Sequence, residues 1–155
     1  SGAHLNPFVS LSMYLTKRIK GKELLTFIPA QILGCLLGVM LANVFFEHSI
    51  IELSTKNRDG FHIFLSEIVA TFGLIFIIFA TLKDGKTTVA ACVATYISAG
   101  YWFTSSTSFA NPAVAIARTF TDSFTGINYL NTPTYIFAEL LGAIVAIYII
   151  KRLIK

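Results

Sequence analysis

Long stretches of this sequence carry almost no charge, and that limits its folds more than any other feature. Residues 24–46 are 23 positions without a charged side chain, and 61–82 are 22 positions with only Glu67. Residues 87–117 are 31 positions with none, and 134–150 are 17 with only Glu139. A helix needs about 20 apolar residues to cross the hydrocarbon core of a bilayer. The first, second and fourth runs therefore each predict one crossing, over 24–46, 62–82 and 134–154. The third run is too long for one crossing and too short for two with a turn. Its middle holds Thr104-Ser105-Ser106-Thr107-Ser108, and Asn111-Pro112 follows. It predicts a span over 88–106 and then a re-entrant half helix over 112–120. Irregular backbone at membrane depth is tolerated only where it is buried in protein or lines a wet cavity. A pathway through the protein is the natural reason for it.

The charges that do occur sit at the ends of these runs. Nine of the 12 Lys and Arg fall on one side: Lys17, Arg18, Lys20, Lys22, Lys83, Lys86, Lys151, Arg152 and Lys155. Lys56, Arg58 and Arg118 fall on the other. The positive-inside rule then predicts a multi-pass protein with a cytoplasmic C-terminus. The net charge of +4 is thus a sidedness signal and not a nucleic-acid surface. Cys35 and Cys92 both lie inside apolar runs, which speaks against a disulfide scaffold or a zinc site. No nucleophile–base set, phosphate loop or ligand cluster occurs, so neither an enzyme nor a cofactor is expected.

The chain also repeats itself. His4-Leu5-Asn6-Pro7-Phe8-Val9 resembles Phe109-Ala110-Asn111-Pro112-Ala113-Val114, 105 residues later. Ala30-Gln31-Ile32-Leu33-Gly34 resembles Ala138-Glu139-Leu140-Leu141-Gly142, 108 residues later. Three predicted crossings separate the two Asn-Pro motifs, so the copies enter the bilayer from opposite faces. Such inverted repeats with broken helices place their sites near the midplane. Asn is a preferred N-cap and Pro a preferred first helical residue. Each pair therefore starts a half helix, over 7–16 and 112–120, with its positive dipole end inward. Facing positive ends repel cations and protons, and the Asn6 and Asn111 amides offer donors to a neutral solute.

At these residues the chain resembles the aquaporin, or major intrinsic protein, family. Ser1-Gly2-Ala3-His4-Leu5-Asn6-Pro7 is similar to the first family signature, and Ser108-Phe109-Ala110-Asn111-Pro112-Ala113 to the second. Glu67-Ile68-Val69-Ala70-Thr71-Phe72 resembles the opening of the family's fourth span. The resemblance implies an all-α membrane fold of six spans and two half helices around a pore, assembled as a homotetramer. This chain would supply four spans and both half helices, with the first two spans missing from an N-terminally truncated sequence. The implied function is passive passage of water or small neutral solutes through a cell (inner) membrane.

Some positions depart from the family pattern. The second motif is usually followed by Arg, and here by Val114; Arg118 lies one helical turn further on, a further candidate for that wall. Phe8 stands where the first motif usually has Ala, and could narrow the midpoint. Ala99 stands where water-selective members place a His. An outer constriction of Ser108, Val114 and Ala99 is wider and less polar, which favours glycerol-like solutes. The stretch 110–119 resembles channels found with bacterial arsenic-resistance genes, which implies arsenite-like hydroxylated species.

Other polar groups have plainer readings. Glu67, Gln31 and Glu139 are read as acceptors that hold the half-helix loops, since unpaired buried donors are costly. His4 is read as fixing its loop by hydrogen bonding. The rival readings are a proton- or ion-coupled secondary transporter using Glu67 and Glu139, and a non-conducting remnant. The filter assignment is checked by Val114→Arg in the native channel, which should cut glycerol passage while water flux persists. Unchanged glycerol flux would reject it.

Overall fold

A computed structural model describes residues 2–153; Ser1 of the first motif and Ile154 and Lys155 at the C-terminus lie outside the described residues. Its helices are α1 Pro7–Leu15, α2 Gly21–Phe45, α3 Phe61–Thr81, α4 Lys86–Phe103, α5 Pro112–Ala117 and α6 Thr132–Leu153. Short 3-10 turns, Leu82–Asp84 and Arg118–Phe120, extend α3 and α5. No strand occurs among the described residues. The fold is all-α, with four long helices and two short ones that start at Asn-Pro.

Local chemistry sets the boundaries. The Asn6 carboxamide oxygen accepts from the backbone N–H of Phe8 at 2.9 Å, and Pro7 occupies the first turn. At the far end of α1, Thr16 Oγ1 donates to the Ser12 carbonyl, and Lys17 turns the chain with φ 61°. Three long helices, α2, α3 with its 3-10 turn, and α6, are long and apolar enough to cross a membrane. The 18-residue α4 is less apolar, because Thr, Ser, Tyr and Gly recur along it. It stops at Phe103, before the Ser/Thr cluster that the sequence places inside a span over 88–106. The physical reason is at Thr104, whose hydroxyl donates to the Gly100 carbonyl at 2.6 Å while its backbone turns extended. Such side-chain bonds compete with the helix ladder.

The closest packing is between α3 and α6. There Gly142 lets the helices touch backbone to backbone. A Cβ added to it would press on the Ile68 carbonyl oxygen and lie 3.0 Å from the Phe72 nitrogen. Small residues of this kind are how helices approach closely in lipid, where no hydrophobic force drives them together. The main core lies beside this contact: Phe8, Val9 and Met13 of α1 meet Ala70, Leu74 and Ile78 of α3 and Ala143 and Ala146 of α6. In α2, the repeat counterpart Gly34 has nothing within 4 Å, nor has Gly38. Asn43 is the one buried residue of α2, so its apolar face is open.

Outside the bundle, the α2–α3 connection is stitched to the segment after α5. Asn43 Nδ2 donates to the carbonyls of Ile50 and Phe120, and the Ser54 N–H donates to Thr119. Asp122 accepts from the Thr55 N–H at 2.9 Å, a bond that holds its carboxyl below the usual range. This strap roofs the end of α5. Gly142→Val should lower unfolding stability in detergent by about 1–3 kcal/mol, the usual cost of overpacking. Stability equal to the parent in a thermal or denaturant titration would show that the α3–α6 contact is looser than described.

Candidate functional site

The two Asn-Pro ends meet in the middle of the molecule. Asn6 Nδ2 donates to the Ala110 carbonyl at 2.6 Å, and Asn111 Nδ2 donates to the Leu5 carbonyl at 2.9 Å. Each asparagine therefore caps its own half helix through Oδ1 and grips the other motif through Nδ2. A carboxamide has two N–H donors, so each Nδ2 keeps one hydrogen beyond this exchange. Asn6 is buried, whereas Asn111 is partly open.

The repeat extends to the backbone. Ala3, Leu5, Ser108 and Ala110 all have positive φ, at 50°, 53°, 49° and 47°. Gly2 and Thr107 do as well, at 71° and 63°. These are three pairs at the same 105-residue spacing as the asparagines. A non-glycine residue in this region costs of order 1 kcal/mol and persists only where its surroundings hold it.

In the second loop the holding groups are carboxylates. Glu67 of α3 accepts from the N–H groups of Phe109 at 2.9 Å and Ala110 at 2.8 Å. Glu139 of α6 accepts from the Asn111 N–H at 2.9 Å. Both glutamates are fully buried. Three successive N–H groups thus point into two acids of the bundle. The first loop is held differently. His4 Nδ1 pairs with Ser10 Oγ at 3.0 Å, and Gln31 Nε2 donates to the same oxygen at 2.9 Å. The His4 ring also stands edge-on to Phe27, with centroids 5.6 Å apart. Gln31 Oε1 is buried without a partner among the described residues. The predicted equivalence of Gln31 and Glu139 is therefore positional only: Glu139 binds the loop backbone, Gln31 a serine on the half helix.

Two open cavities flank α2. One, of about 560 Å³, runs along α5 and the loop after it, with Val114, Ala117 and Arg118 facing Cys35, Gly38 and Asn43. The other, of about 540 Å³, runs along the loop into α1, with His4 and Leu5 facing Phe27, Gln31 and Cys35. Cys35 lines both, so the cavities adjoin at its level.

Two residues expected to line the pore, Phe8 and Ala99, are placed differently. Phe8 is packed in the main core with α3 and α6 and does not project into the space between the half helices. The core offers an aromatic ring more apolar contact than a polar passage does. Ala99 is exposed on α4, and its neighbour Gly100 is the residue set against Ser108: a Cβ there would lie 2.6 Å from Ser108 Oγ. Counting back along the sequence misses this by one position, which on a helix turns the face by about 100°. Ser108 is buried with its hydroxyl unpartnered among the described residues, and Val114 is half-buried. Pro112 and Ala113 are buried at the start of α5, as Pro7 is in α1.

Sequence reasoning missed Ser10 and Ser106. Ser10 joins His4 to Gln31, and Ser106 Oγ accepts from the Ser108 N–H at 3.2 Å. Serine in an apolar run was the available signal, but its partners become visible only in three dimensions.

A family profile described as Major intrinsic protein matches residues 1–101. The chain is 43% identical over 155 residues to Aquaglyceroporin AqpS of Rhizobium meliloti (strain 1021), covering 100% of this chain and 66% of that protein. It is 28% identical over 155 residues to Aquaporin-4 of Bos taurus, covering 94% of this chain and 47% of that protein. It is 29% identical over 148 residues to Probable aquaporin TIP3-2 of Oryza sativa subsp. japonica, at 92% and 56%. The chain thus spans between about half and two thirds of the length of these relatives.

Replacing Glu67 by Leu removes the acceptor for two buried N–H groups at about 1–3 kcal/mol each. Glu67→Leu should therefore destabilise the protein by about 2 kcal/mol or more in detergent unfolding, with Glu67→Gln in between. A neutral Glu67→Leu would mean that the loop does not depend on it.

Proposed function

The chain belongs to the major intrinsic protein family, and from that premise we propose that it forms part of a passive channel for water and small neutral solutes. The observation that carries this is the reciprocal bonding of the two Asn-Pro ends. It sets two half-helix N-termini against each other, so that positive dipole ends face any solute in the middle of the protein. That arrangement disfavours cations and protons while leaving amide donors for a hydroxyl oxygen.

On this reading Asn6 and Asn111 orient the solute. Val114, Ser108 and Gly100 shape the outer side, with Ala113 and Pro112 closing the turn. Glu67 and Glu139 hold the second loop, and His4, Ser10 and Gln31 the first. The broad outer side, with Val114 in place of a fixed cation, fits glycerol-sized and arsenite-like hydroxylated solutes as well as water. The relative named an aquaglyceroporin supports the same class. The protein sits in a cell (inner) membrane as a homotetramer with the C-terminus of α6 in the cytoplasm, and no nucleic acid takes part. The bare face of α2, with Gly34 and Gly38 uncovered, is where the rest of the channel wall packs. Coupled transport is disfavoured chiefly by Glu67, both of whose oxygens accept backbone N–H groups, while Glu139 commits one oxygen in the same way.

Stopped-flow light scattering on proteoliposomes of the native channel protein tests this. Water and glycerol should enter faster than into protein-free liposomes, at rates independent of a pH gradient and with no proton leak. Flux that needs a proton gradient would replace the channel reading by a transporter.

A further inference from the structure

The end of the bundle where α1, α3 and α6 finish carries a cavity that the channel reading leaves unused. It measures about 300 Å³ and shares no lining residue with the two cavities beside α2. Its floor is apolar, made by the buried side chains of Phe79 and Ile150, and Leu15 stands open at the rim. Three exposed cations complete it: Lys17 and Arg18 after α1, and Lys151 on α6.

Sidedness alone asks only for cations somewhere at this end. The geometry here is more particular. At the end of α1 the Arg18 N–H donates to the Met13 carbonyl at 2.8 Å and the Lys17 N–H to the Tyr14 carbonyl at 2.9 Å. A helix closed in this way usually has glycine at its left-handed residue. Here that residue is Lys17, with φ 61°. A lysine thus stands where the backbone favours glycine. Arg18 is laid over the floor, its guanidinium carbon 5.6 Å from the centre of the Phe79 ring. The ion pairs among the described residues are His48 with Glu52 and Lys56 with Asp122, so none of the three cations is neutralised by an acid there. The acids at this end of the chain are Glu23 and Asp84, and the Glu23 carboxylate accepts from the Lys20 N–H at 2.8 Å.

The surface below the cations is apolar and open. Ile144, Tyr148 and Lys151 recur at helical spacing on α6, and all three are exposed. An uncovered apolar stripe therefore runs along α6 and ends at a cation of the cavity.

We propose that this cavity is a binding site for an anionic phospholipid. The headgroup phosphate sits among Lys17, Arg18 and Lys151, and an acyl chain follows Tyr148 and Ile144 along α6. Basic pockets between membrane helices suit anionic headgroups. A soluble phosphate would meet the same cations but would gain nothing from the apolar stripe. The site is separate from the asparagine joint, so it does not depend on which solute passes.

Native mass spectrometry of the native channel protein in detergent tests this, with phosphatidylglycerol or phosphatidylcholine added at equal concentration. The parent should retain phosphatidylglycerol at least fivefold more than phosphatidylcholine; equal retention overturns the proposal. Lys17→Gly suits the left-handed backbone, so it should unfold no more easily than the parent. It should nevertheless lower phosphatidylglycerol retention about fivefold, the effect of one cation at an anionic surface. Lys86→Gln removes a charge from the same end but outside the cavity, and should leave retention near the parent's. An equal loss in both variants would reveal a general field of charge and overturn the site, as would unchanged retention in Lys17→Gly. Where Lys17→Gly does not fold, Lys151→Gln decides by the same comparison. Displacement of the lipid by millimolar inorganic phosphate would make this a soluble-anion site and overturn the lipid assignment.

Discussion

The pair of hydrogen bonds from Asn6 to the Ala110 carbonyl and from Asn111 to the Leu5 carbonyl is the constraint on which the rest of the structure depends. Each asparagine does two things at once. Its oxygen replaces missing helical acceptors for the first turn, and its nitrogen fastens that turn to the opposite motif. Neither half helix is long enough to be stable by itself; α5 has only six residues. Their ends are fixed because each is the other's anchor.

This joint needs the chain to arrive in an unfavourable conformation. Leu5 and Ala110, whose carbonyls accept the two bonds, both lie at positive φ. Glu67 and Glu139 stabilise the second approach by accepting three consecutive N–H groups from within the bundle. The first approach is braced by the His4–Ser10–Gln31 chain. The repeat is therefore symmetric in backbone and in its asparagines but not in its supports. Gly142 permits the α3–α6 contact that carries both acids to the loop, whereas its counterpart Gly34 faces open space.

Much of this was legible in the sequence because it depends on patterns that survive without neighbours. Charge-free runs mark the long helices, Asn-Pro marks a capped helix start, and a constant 105-residue spacing marks the repeat. The bonds from the loop to Glu67 were legible through the family resemblance, since an acid at that place in the family's fourth span implies a loop held by it. What was not legible depends on rotation and reach. Phe8 reads as a pore residue by its place in the motif, yet its ring turns into the core. Ala99 and Gly100 differ by one position, and only the helix face separates them. The span over 88–106 reads three residues too long because a Ser/Thr cluster has no charge to reveal that it has left the helix. Partners such as Leu5 and Ala110 act through carbonyls that every residue has, so no side chain announces them.

The central claim is that the two half helices support each other through the asparagine amides. A double-mutant cycle of Asn6→Ser and Asn111→Ser measures this directly, because serine keeps an N-cap oxygen but lacks the reaching nitrogen. Unfolding free energies in detergent should be non-additive, with a coupling of about 1 kcal/mol or more between the two sites. Additivity within about 0.5 kcal/mol would mean that the sites do not sense each other, and would contradict the account.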